Sequence, residues 1–181
     1  MAETDQIDTL LDYNRRNHGS HIPVDSGKPR FSMAVVRCMD HRINLSDVLG
    51  ISAGDVDEIA NAGGVVTDDV LRSLAVSQRL KGTTAVIVIG HTGCGMTSFD
   101  QRDLKEQIRK EVGTAPTFDF RTFADVADNV AEGVEAIKNC PFLPHRTQVR
   151  GYVLDLQTGL LNEVEVTRNL SGRPRANLIG R

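Results

Sequence analysis

Continuous apolar runs and stretches of helical periodicity take turns along this chain. Residues 31–37, FSMAVVR, read as a buried strand that ends at Cys38. Residues 84–90, TAVIVIG, form the clearest unbroken run, the pattern of a central parallel strand covered on both faces. Between these two, residues 43–50 read as a short helix closed by Gly50. Residues 55–64 read as a strand running into the turn Asn61-Ala62-Gly63-Gly64. Residues 66–81 then carry Val70, Leu71, Leu74, Ala75 and Leu80 on one helical face. Thr67 is placed to cap that helix, and Asp68 and Asp69 fall in its first turn, where the helix dipole favours negative charge.

Residues 101–112 and 122–138 read as two further helices, the second opening near Thr122 and aligning Phe123, Val126, Val130, Val134 and Ile137. Beyond Pro141 and Pro144, residues 149–166 alternate as a hairpin turning at Gln157-Thr158-Gly159. At the other end, residues 3–17 read as a short helix or arm carrying Ile7, Leu10, Leu11 and Tyr13, and residues 19–30 as a connector. The tail, 167–181, has no strong pattern and reads as a loose arm or one that reaches a second subunit. Strands alternating with helices imply an α/β fold. The expectation is a single domain with a mostly parallel central sheet flanked by helices, antiparallel edge strands and an N-terminal helical arm. Its parts would be an arm and connector at 1–30, a core at 31–166 and the tail at 167–181.

Composition narrows the function. A length of 181 residues favours one domain with a real core. A net charge of −3 and only 4% aromatic residues argue against a nucleic-acid surface. The longest apolar run, Ala85 to Ile89, is far too short to span a bilayer. The acidic N-terminal stretch lacks a charged and apolar export signal, so a cytoplasmic location is expected. Three cysteines without such a signal favour metal binding or catalysis over a disulfide framework.

Two short segments hold the chemistry. Cys38-Met39-Asp40-His41-Arg42 follows the first strong strand, and His91-Thr92-Gly93-Cys94-Gly95 follows the central one. Sites in open α/β sheets gather at the carboxyl ends of strands, where the strand order reverses. Two adjacent strand tips would bring Cys38 beside His91 and Cys94. Two thiolates and an imidazole suit one zinc ion per chain, and three protein ligands leave a fourth position open, the catalytic pattern. Asp40 stands close enough to reach that position, and Arg42 can grip Asp40 and keep it ionised. Asp40 moved onto the metal would close the site into an inactive form.

The pair C-x-D-x-R and H-x-x-C, with NAGG and VVTDDVLRSLAVSQRL between them, resembles the β-class carbonic anhydrases over roughly residues 30–165. The likeness is to the short subgroup in which carbonyl sulfide hydrolases also occur. It implies zinc on Cys38, His91 and Cys94, an orienting dyad of Asp40 and Arg42, and a Gly95 backbone N–H offered to substrate oxygen. It also implies a homodimer or homotetramer with N-terminal helices embracing the partner. The implied reaction is reversible hydration of carbon dioxide to bicarbonate by a zinc-bound hydroxide. The substrate-positioning glutamine of the longer plant-type members has no match upstream of Cys38, where Gln6 is the only glutamine. The chain has no tryptophan, so the tryptophan-containing bicarbonate regulatory site of some bacterial relatives is not expected.

Two rival readings share these residues. The same site could hydrolyse carbonyl sulfide or carbon disulfide, which are also linear and electrophilic at carbon. A protein of another class, binding zinc or cycling a Cys38–Cys94 disulfide without catalysis, would have little use for the Asp40–Arg42 pair. The remaining candidates have plainer roles: His41 as a loop residue, His18, His21 and His145 as solvated connector residues, and Cys140 as a half-buried thiol.

Overall fold

A computed structural model describes residues 5–21, 23, 27–168 and 174–179. In chain order the elements are α1 (Gln6–Asn17), β1 (Met33–Cys38), α2 (Leu45–Leu49), β2 (Asp57–Asn61), α3 (Asp68–Leu80), β3 (Ala85–His91), α4 (Gln101–Val112), α5 (Val126–Asn139), β4 (Gln148–Leu154), β5 (Leu161–Arg168) and β6 (Pro174–Ile179). The strands form one sheet in the order β2-β1-β3-β4-β5-β6. β2, β1, β3 and β4 run parallel, and β5 and β6 are antiparallel additions at one edge. The expected α/β domain is therefore present, with the apolar run 84–90 as an interior strand hydrogen-bonded on both sides.

The strand sequences divide their side chains between two cores. Ala34 and Val36 of β1 and Val86 and Val88 of β3 pack with Val70 and Leu74 of α3 and Val130, Val134 and Ile137 of α5. Val35 and Ile89 point to the other face, with Ile43, Leu45 and Leu154. This opposite-face alternation is the period-two pattern of a strand buried on both sides. Gly151 of β4 lets α5 approach closely, since a Cβ there would lie 2.5 Å from Val130 Cγ1.

Caps set the helix limits. The Thr67 side chain accepts a hydrogen bond from Val70 N–H, as expected, and Lys81 closes α3 before Gly82. Leu80 departs from the expected apolar face: it is 75% exposed, because the buried side of α3 runs through Val70, Leu74, Ser77 and Gln78 and Leu80 lies off it. α5 starts at Val126 instead of near Thr122, with Asp125 capping Asp128 N–H at 2.9 Å. Asp is a better N-cap than Thr, and Phe123 ahead of it packs on the other core. The tail also differs from expectation, for residues 174–179 pair along β5 as β6, and Ala176 N–H donates to Asp128 Oδ1 of α5 at 3.1 Å. The helix α1 has no buried residue, and Ile7, Leu10 and Tyr13 are each about two-thirds exposed or more (65%, 72% and 65%).

Candidate metal centre

β1 and β3 are adjacent and parallel, with Arg37 in register with Ile89, so their carboxyl ends lie side by side. Cys38 is the last residue of β1, and His91 is the last of β3. After His91 the chain turns through Gly93, at φ +63°, and returns Cys94 beneath a single-turn helix at Gly95–Thr97. One sulfur from each cysteine and one ring nitrogen of His91 lie within 4.8 Å of one another, and all three residues are buried. The floor of the site is the turn after β2. Met39 N–H donates to Asn61 O at 2.8 Å, and Gly64, at φ +62°, lies so close that a Cβ would stand 2.9 Å from Cys38 N. Only glycine meets both demands there.

The His91 ring is oriented by its own neighbour. Nδ1 donates to Thr92 O at 3.0 Å, which leaves Nε2 with a lone pair. That Nε2 is buried without a hydrogen-bond partner. An orphaned buried acceptor is costly unless something with positive charge meets it. Burial holds the imidazole pKa below its usual value, so the ring is neutral at pH 7, and its 3.8 Å approach to Asp40 Oδ2 is not an ion pair. Burial, followed by the nearby Cys38, pushes the Cys94 thiol up, opposed by a hydrogen bond from Met96 N–H. Two adjacent thiols and a bare imidazole nitrogen thus form a donor set that a soft divalent cation satisfies at one stroke.

Asp40 and Arg42 meet as the motif suggests. Arg42 Nε donates to Oδ1 at 2.8 Å, Nη2 to Oδ2 at 2.7 Å, and the Arg42 backbone N–H to Oδ1 at 3.0 Å. Together these hold the carboxyl well below the usual carboxylate range, against the opposing effect of burial. Arg42 Nη2 also reaches Gly93 O at 3.2 Å and so ties the two strand-tip loops together. His41 is 93% exposed and lies outside the ligand group, with its Nδ1 3.8 Å from Asp40 Oδ1. Cys140 is more deeply buried than expected, within the α5 core.

A profile of the carbonic anhydrase family matches residues 33–161, which takes in every residue of this constellation. The chain belongs to the β-carbonic anhydrase family. Beta-carbonic anhydrase 1 of Mycobacterium tuberculosis is 45% identical to it over 136 residues, 75% of this chain and 83% of the relative. A carbon disulfide hydrolase of Acidianus sp. is 32% identical over 153 residues, 71% of this chain and 75% of the relative. The crystal structure of a carbonic anhydrase from Streptococcus mutans superposes with a TM-score of 0.83 at 32% identity, covering 90% of this chain and 99% of that one. Within the carbonic anhydrase family, carbon dioxide hydration is the favoured activity for this chain, and the carbon disulfide hydrolases are more distant kin.

Some supporting residues lie outside the motifs. Asn129, buried on α5, donates from Nδ2 to Gly63 O at 3.2 Å. Asn61 bridges the same turn, accepting from Val65 N–H and donating to Val65 O. Met96 and Phe123 pack against the apolar cluster that includes Cys38 and Cys94, and both border Gly63. Asn129 is a polar residue among the buried positions Ala127, Val130 and Ala131 of α5, a placement that the sequence pattern does not announce.

Proposed function

We propose that Cys38, His91 and Cys94 hold a zinc ion and that this chain hydrates carbon dioxide reversibly to bicarbonate there. The observation that carries the reading is the buried, unpartnered His91 Nε2 facing two thiols within 4.8 Å. Zinc, when bound, supplies a Lewis acid that acidifies water near neutral pH and offsets developing negative charge. Asp40, kept ionised by Arg42, accepts a hydrogen bond from the attacking hydroxyl and aims its lone pair at the substrate carbon. The Gly95 N–H donates to the oxygen on which charge develops. Met96 and Phe123 keep bulk water from one side of the site. An Asp40 released by Arg42 is near enough to become a fourth donor, and the site would then be closed.

The test compares Cys94→Ala with Asp40→Ala. The first should lose both zinc and carbon dioxide hydration, and the second should keep zinc and turn over slowly. Full zinc content with full activity in Cys94→Ala would overturn the assignment. A second reading, hydrolysis of carbon disulfide or carbonyl sulfide at the same centre, is supported by the Acidianus relative. Rates on the three gases, with hydrogen sulfide release as the marker, separate the two activities.

The exposed apolar side chains of α1 support assembly into a homodimer or homotetramer in which that helix packs on a second copy. No helix among the described residues is long and apolar enough to cross a membrane. The three unpaired cysteines support a reducing, cytoplasmic setting.

A further inference from the structure

Thr92 is exposed, yet each of its polar groups is engaged. Its N–H donates to Leu154 O, the last carbonyl of β4, at 2.9 Å. Its hydroxyl accepts from Leu156 N–H, two residues further along the same strand exit, at 3.1 Å. Its carbonyl accepts from His91 Nδ1 at 3.0 Å. The exit of β4 is itself fixed, since Asp155 N–H donates to Leu160 O at 2.9 Å across the turn into β5.

These bonds form a chain of support that runs from the β4–β5 turn to the imidazole. A carbonyl can only accept, so the Thr92 carbonyl forces the proton of a neutral His91 onto Nδ1 and leaves Nε2 free to ligate. The peptide carrying that carbonyl precedes Gly93 at φ +63°. Glycine tolerates both signs of φ, so a peptide plane ahead of it rotates more readily than others do. With one anchor at the Thr92 N–H, that plane could swing. The hydroxyl, carried on Cβ, is a second anchor to the same strand exit; the two together fix the Thr92 Cα frame, and with it the axis from which the carbonyl projects. We infer that Thr92 is a positioning residue for the metal centre: its hydroxyl, clamped by Leu156 N–H, holds the carbonyl that fixes the tautomer and plane of His91.

The inference rests on the reading of His91 as a zinc ligand. Because Thr92 and Leu156 N–H are exposed, water replaces the lost bond when the hydroxyl is removed, and the stability cost is small. The effect should instead fall on the metal. Partners of ligating histidines typically change metal affinity by about 10–100-fold when lost. Thr92 acts one step removed, through its carbonyl, so the low end is expected.

The experiment uses zinc-loaded and cobalt-substituted protein as wild type, Thr92→Val and Thr92→Ser. Thr92→Val keeps the shape but removes the acceptor. It should lose zinc to an excess of chelator about tenfold faster and shift the visible bands of the cobalt form. Thr92→Ser should restore both. Thr92→Ala, read in the same way, stands in if the valine variant does not fold. Wild-type zinc loss and an unchanged cobalt spectrum in Thr92→Val would overturn the inference while leaving the zinc reading intact. So would a serine variant that behaves as valine does. A wild type that takes up no zinc would remove the metal reading and this inference together.

Discussion

At Asp40, three donors from a single arginine keep a carboxyl ionised beside two buried thiols. The unfolded value is about 3.9, and the folded value lies below it, so the unfolded chain binds more protons. The resulting stabilisation is fully present above about pH 4 and fades as pH falls toward the folded value. Asp40→Asn should therefore be less stable than wild type at pH 7, and the gap should narrow below about pH 4. Urea unfolding of the metal-free proteins across that range checks the sign. Arg42→Gln should free Asp40 toward the ligands. Metal analysis should find zinc retained, while hydration falls by at least about tenfold, or about 1.4 kcal/mol of barrier. Motif spacing disclosed Cys38, Asp40, Arg42, His91 and Cys94, because ligand and charge chemistry restrict the residue types that serve. It did not disclose Thr92 or Asn129. Both act largely through hydrogen bonds with backbone groups, which any chain offers, so no residue-type pattern announces them.

Among the elements, strands and caps were legible wherever burial and capping coincide, as in β1, β3 and α3. The start of α5 differs from expectation because Thr122 and Asp125 both satisfy cap chemistry, and packing of Phe123 on the second core decides between them. β6 was invisible because its partner supplies its order: PRANLI shows no alternation, and its pairing depends on the free edge of β5. Two of the glycines that sit at close approaches between elements make tests. Gly151→Ala should cost about 1–3 kcal/mol by forcing α5 off the sheet. Gly64→Ala adds a left-handed penalty of about 1–2 kcal/mol to a clash with the Cys38 backbone, so zinc affinity should fall along with stability. Denaturation midpoints for both variants, with metal titration of the second, distinguish a packing fault from a site fault.

For the whole molecule, α1 projects Ile7, Leu10 and Tyr13 into solvent in the single chain. Removing residues 1–23 should reduce the assembled species to a monomer by light scattering. The isolated core should still bind zinc, since all three ligands lie on one chain. An unchanged mass after truncation would mean that other surfaces hold the copies together.

The parallel register of β1 against β3 has a kinetic corollary. Sliding one strand by a single residue moves a side chain by about 3.3 Å and turns it to the opposite face. Tight capture of an ion therefore waits until chain segments far apart in sequence have docked in correct alignment. In a refolding experiment, quenching of a zinc-responsive dye should lag the recovery of helical circular dichroism, which makes the ion a checkpoint on assembly of the sheet.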